Sequence, residues 1–91
     1  MANTSHIDIE KFNGKSFELW KLKMEDLLVD RDQWVAVKPG IAPVGMSQED
    51  WEKLDSKARS MIWICLVDYV LLNVLGEDTT KNIWDKLGNL Y

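Results

Sequence analysis

Three sets of side chains in this 91-residue sequence carry groups able to do chemistry: one histidine, one cysteine and two clusters of carboxylates. His6 lies in a polar N-terminal stretch, where a lone imidazole is expected to be solvated. Cys65 falls inside the most apolar run of the chain, Met61 to Val67, and reads as a buried, inert thiol. A single cysteine cannot close an intramolecular disulfide, and with one histidine it cannot assemble a zinc site from soft ligands. Glu49, Asp50 and Glu52 form one acidic cluster, and Glu77 and Asp78 the other. Paired carboxylates do acid–base work only in a cleft that shifts their pKa values. Both clusters instead precede or open an expected helix, where negative charge favours the positive end of the helix dipole. The glycine-rich signatures of dinucleotide and phosphate loops and the G-x-S-x-G nucleophile elbow are absent. The sequence therefore predicts no catalytic residue, cofactor, metal or small-molecule substrate, and leaves protein surfaces as the means by which the chain acts.

Composition narrows the partners. The chain is 46% hydrophobic, enough for a packed core, and carries five tryptophans. Each tryptophan can bury roughly 200 Å², so a few of them supply much of the core of so small a domain. The net charge is −4. Lys11, Lys15, Lys21 and Lys23 are interleaved with Glu10, Glu18, Glu25 and Asp26, a mixed and solvated face. Phosphate neutralisation requires a basic stripe, so direct nucleic-acid binding by this segment is not expected. The longest apolar run, Met61 to Val67, is far short of the roughly 20 residues of a membrane span. Met1 to Glu10 has no apolar block of a secretory signal, and the expected compartment is the cytoplasm.

The hydrophobic pattern predicts an all-α bundle of four to five helices, at about residues 16–32, 48–67, 68–75 and 79–91. Residues 1–11 read as an N-terminal arm, extended where Ile7 and Ile9 alternate, and 12–91 as one helical domain. Asn13-Gly14 signals a turn. Ser16 is the expected N-cap of the first helix. Phe17, Trp20, Met24, Leu27 and Leu28 then recur at the helical period, with Leu19 and Leu22 widening that face. Trp34, Val35 and Val37 return the chain to the core, as a last helical turn or a short extended piece. A proline/glycine loop occupies 38–46.

Ser47 caps the second long helix, whose apolar stripe is Trp51, Leu54, Ala58, Met61, Ile62 and Cys65. Glu52, Lys53, Asp55, Lys57 and Arg59 are expected on its opposite face. From Met61 to Val67 polarity vanishes, so this stretch must be central in the bundle or covered by something else. Asp68 is expected to cap or kink the chain into a short helix. That helix carries Tyr69, Leu71, Leu72, Val74 and Leu75, and a left-handed Gly76 ends it. Glu77 to Thr80 opens the last helix, with Ile83, Trp84, Leu87 and Tyr91 on one face. Trp20, Trp51 and Trp84 are explained by core packing. Trp63 lies about 200° around its helix from Met61. It either fills a second core layer or anchors an interface, where tryptophan is enriched.

Taken in order, these landmarks resemble the Gag polyproteins of copia-type LTR retrotransposons. The opening is Phe12-Asn13-Gly14 with Trp20 in Phe17-Glu18-Leu19-Trp20-Lys21-Leu22-Lys23-Met24, then Leu27-Leu28 and Trp34. Trp51 follows, and Asp55 to Ala58 leads into the buried Ile62 to Leu66. The last piece, Thr79 to Leu87 with Trp84 and Tyr91, is similar to the family's Thr-Ala-x-x-x-Trp-x-x-Leu-x-x-x-Tyr segment. The resemblance spans about residues 8 to 91.

That resemblance implies a fold like the N-terminal domain of a retroviral capsid and a role in building virus-like particle shells around the element's RNA and enzymes. It implies as landmarks Phe12, Trp20, Met24, Leu28, Trp34, Trp51, Ala58, Ile62, Trp84, Leu87 and Tyr91. It also implies a longer parent chain, cut near Tyr91, whose further helices and zinc knuckle would carry RNA binding. The expected partners are copies of the chain itself, as a dimer at least, with Trp63, Ile64 and Val67 as the candidate self-association surface. The other reading is a domesticated Gag-derived adaptor that binds a host protein or peptide in a helical groove.

Overall fold

A computed structural model describes residues 9–91. His6, Ile7 and most of the expected arm lie outside the described residues. The described chain is all-α, as the periodicity predicts: α1 (Phe17–Asp30), a 3-10 turn (Trp34–Ala36), α2 (Gln48–Ile64), α3 (Asp68–Val74) and α4 (Thr80–Leu90).

The helix starts differ in how they are made. Ser47 and Thr79 are hydroxyl caps: each side-chain oxygen accepts a bond from the backbone N–H three residues on, that of Asp50 and of Asn82, both at 3.1 Å. Ser16 holds the cap position of α1 but makes no such bond, because its backbone is left-handed at φ 57. The turn before it explains the difference. Gly14 has φ 96, and the Lys15 N–H donates to Asn13 Oδ1 at 3.0 Å, so an Asx turn feeds the chain into the helix. Asp68 does not cap α3 but is its first residue, after Val67. Gly76 is not among the left-handed residues, since α3 already closes at Val74.

α1 buries Phe17, Trp20, Met24 and Leu28. Leu19 and Leu22, expected to widen that face, are 54% and 65% exposed. Leu22 lies about 200° around the helix from Trp20, so it points away from the core. The 3-10 turn settles the alternatives for Trp34 to Val37 and buries Ala36 and Val37. α2 stops at Ile64, three residues before the expected end at 67. The chain turns at Cys65, and Leu66 forms a parallel bridge with Phe12. The Phe12 N–H donates to the Cys65 carbonyl at 2.8 Å, and the Val67 N–H to the Phe12 carbonyl at 3.0 Å.

Every helix contributes to one core, with Met24, Leu28, Ala58, Ile62, Val70, Val74, Ile83 and Leu87 all at 0% exposure. An aromatic run flanks it. Phe12 meets Phe17, Trp20 and Tyr91 at centroid distances of 5.3, 5.4 and 4.9 Å. Trp84 continues the run, 6.0 Å from Trp20 and 5.2 Å from Trp34. Tilted and edge-on pairs at these separations add to plain area burial.

Candidate interaction surfaces

Of the landmark residues, Phe12, Trp20, Met24, Leu28, Ala58, Ile62 and Leu87 are buried, while Trp34, Trp51 and Trp84 pack partly buried against the core. Tyr91 is more open but packs edge-on against Phe12. The structure thus gives these positions to packing.

Asp55 is the polar residue whose burial the sequence reading missed. Instead of facing solvent with Arg59, it is buried and joins α2 to the start of α4. Its Oδ1 accepts from the Thr80 N–H at 3.1 Å, and its backbone carbonyl accepts from the Thr80 hydroxyl at 2.8 Å. Its Oδ2 takes Arg59 at 3.0 Å, and the same guanidinium nitrogen donates to the Asp78 carbonyl at 2.6 Å. The signal was in the spacing. Asp55 lies four residues after Trp51 and three before Ala58, inside the apolar stripe, where a carboxylate needs buried partners.

The glutamates of the two acidic clusters are paired locally, while the carboxylates of Asp50 and Asp78 take no side-chain partner among the described residues. Glu49 pairs with Lys53 at 4.0 Å, Glu52 accepts from Gln48 at 3.0 Å, and Glu77 meets Lys86 at 3.4 Å. Among the described residues, no group of three or more His, Cys, Asp or Glu is placed to hold a metal ion. Burial pushes the Cys65 thiol up from its ordinary pKa, partly opposed by the positive charge of Lys11. Its carbonyl, meanwhile, receives the Trp20 indole N–H at 3.1 Å. Among the described residues, no helix is long and apolar enough to cross a membrane.

Trp63, Ile64 and Val67 do not form one exposed patch. Trp63 and Val67 pack partly buried against the core, and the Arg59 guanidinium lies 5.5 Å over the Trp63 ring. Only Ile64 is open, at 55%. Other exposed apolar side chains lie in the loop before α2, at Ile41 and Val44, and on other helices. α3 presents Tyr69, Leu72 and Leu75, and α1 presents Leu19 and Leu22. Beside Leu19, a groove of about 340 Å³ runs between residues 9–13 and the first turns of α1. Tyr69 is tethered by a hydrogen bond from its hydroxyl to the Asn13 carbonyl.

The described residues form a small helical bundle in which buried Asp55 and Thr80 tie α2 to α4, and whose open features are surfaces. Over 86 residues it is 38% identical to the Retrovirus-related Pol polyprotein from transposon TNT 1-94 of tobacco, Nicotiana tabacum. The match covers 92% of this chain but 6% of that polyprotein, in its N-terminal part. The similarity is therefore with the N-terminal part of a copia-type LTR retrotransposon polyprotein, of whose length this chain spans a small fraction. No protein-family model matches the chain, and no solved structure matches it.

Proposed function

We propose that this chain is a Gag-type capsid module, which packs against copies of itself in the cytoplasm to build a retrotransposon particle shell. The observation that carries this reading is the 38% identity along 92% of the chain with the N-terminal part of a retrotransposon polyprotein. Exposed leucines on two helices support it, because a monomer gains nothing from leaving them in water. Light scattering across a concentration series tests it. A mass that rises to a defined dimer or larger assembly is the expected result. A strict monomer up to the solubility limit would sink the proposal and bring forward the adaptor that binds a host protein or peptide.

A further inference from the structure

Two open apolar strips on this molecule differ in charge. The first borders the groove between residues 9–13 and α1, where Ile9, Phe12 and Leu19 form an apolar lining and Lys11, Lys15 and Lys23 stand around it. Glu10 also lines this groove, giving three lysines to one carboxylate in a chain of net charge −4. Among the described residues these lysines form no ion pair, whereas the neighbouring Lys21 is held by Glu18 at 3.5 Å and lies over the Phe17 ring.

The second strip is on α3 and its C-cap residue, Leu75. Asp68, Leu72 and Leu75 follow i, i+4, i+7 spacing and share one face. Leu72 and Leu75 are 69% and 53% exposed. From Ser60 to Thr80 the chain carries Asp68, Glu77 and Asp78 and no basic residue. Lys86 answers Glu77 and Arg59 reaches the Asp78 backbone carbonyl, while no cation pairs with the carboxylates of Asp68 and Asp78 among the described residues.

Resting on the self-association reading above, we propose that the α3 strip of one copy docks on the lysine-rimmed groove of the next. Leu72 and Leu75 meet Leu19 and the apolar lining, and Asp68 and Asp78 face the lysines. The joined surfaces are different, so the contact is heterologous. Each added copy leaves one groove and one strip open, and growth continues to a ring or an open array instead of stopping at two. Opposite charges at the rim make the contact sensitive to salt, since the Debye length at physiological ionic strength is about 8 Å.

Two broken variants test this. Leu72→Asp/Leu75→Asp removes the strip, and Lys15→Glu/Lys23→Glu removes the groove rim. All four positions are exposed, and unchanged circular dichroism checks that both variants fold. Each alone is expected to scatter as a monomer under conditions where the unaltered chain assembles. Mixed, they form a one-to-one dimer and nothing larger, because one retains only a groove and the other only a strip. Added salt weakens assembly of the unaltered chain by about tenfold or more between 50 and 300 mM. Should the unaltered chain assemble while either variant assembles equally well, or while the mixture stays monomeric, this docking is overturned and self-association survives. Should the unaltered chain remain monomeric throughout, the capsid reading fails with it.

Discussion

The two ends of α2 obey different rules. At the start, Ser47 caps the helix and side chains pair at i, i+4: Gln48 with Glu52, Glu49 with Lys53, Asp55 with Arg59. Everything that organises this end lies within one or two turns of sequence, apart from the reach of Asp55 to α4. At the other end the polar face disappears, and the helix gives way at Cys65. The carbonyl there accepts two distant donors, the Phe12 N–H at 2.8 Å and the Trp20 indole at 3.1 Å. The end of the apolar run, from Cys65 to Val67, is thus paired with the chain's own segment at Phe12. An apolar run states that it must be covered, but the covering partner is a property of the tertiary fold.

Removing that cover should have the largest effect. Phe12 is 2% exposed and touches three aromatic rings. Phe12→Ala is expected to cost about 3–5 kcal/mol in urea denaturation, because the lost transfer energy is joined by a cavity that α1 and α4 cannot fill. Total stabilities of small domains are on the order of 5–15 kcal/mol, so much of this variant would be near its unfolding threshold. A loss below about 1 kcal/mol would show that the Phe12 contact is peripheral and erase the contrast between the two ends.

The polar clamp at the middle of α2 comes next. Asp55→Ala orphans the Thr80 N–H, on a residue with no exposure, and strips Arg59 of its carboxylate. The expected cost is about 2–4 kcal/mol, since an uncompensated buried donor and a broken ion pair are both left behind. Asp55→Asn keeps an oxygen for Thr80 and should lose less than half as much. Equal losses for the two substitutions would mean that the charge on Asp55, and not its bond to Thr80, ties α2 to α4.

This division also explains what could be read from sequence. The helices, the Ser47 cap and the aromatic core positions were legible because they depend on period and on local chemistry. Asp55 was misplaced because its i, i+4 partner Arg59 made an outward face look complete. Yet the buried stripe passes through it, and its decisive partner Thr80 is 25 residues away. Leu19 and Leu22 were expected to widen the core face of α1, although the helical angle places Leu22 about 200° from Trp20 and Leu19 about 100° from it on the side away from Met24. The early end of α2 was hidden because nothing between Ile64 and Val67 breaks a helix. What stops it is backbone pairing with Phe12, some 50 residues earlier in the chain. The self-association surface expected at Trp63, Ile64 and Val67 rests on the same run, of which Ile64 is exposed and Trp63 and Val67 are partly buried, while further exposed strips lie on α1 and α3.

The smallest expected effect tests that last point. Ile64 ends α2 with its side chain 55% exposed, one residue before the turn that tucks Cys65 and Leu66 into the core. Ile64→Ser removes apolar surface that is already half in water and opens no cavity. Stability should change by no more than about 0.5 kcal/mol. If the α3 strip and the lysine-rimmed groove carry self-association, the light-scattering mass of this variant also follows that of the unaltered chain at every concentration. Dissociation caused by Ile64→Ser, with stability unchanged, would move the interface to the end of α2. The apolar run would then have two covers, the Phe12 segment on its inner side and a second copy on its outer side.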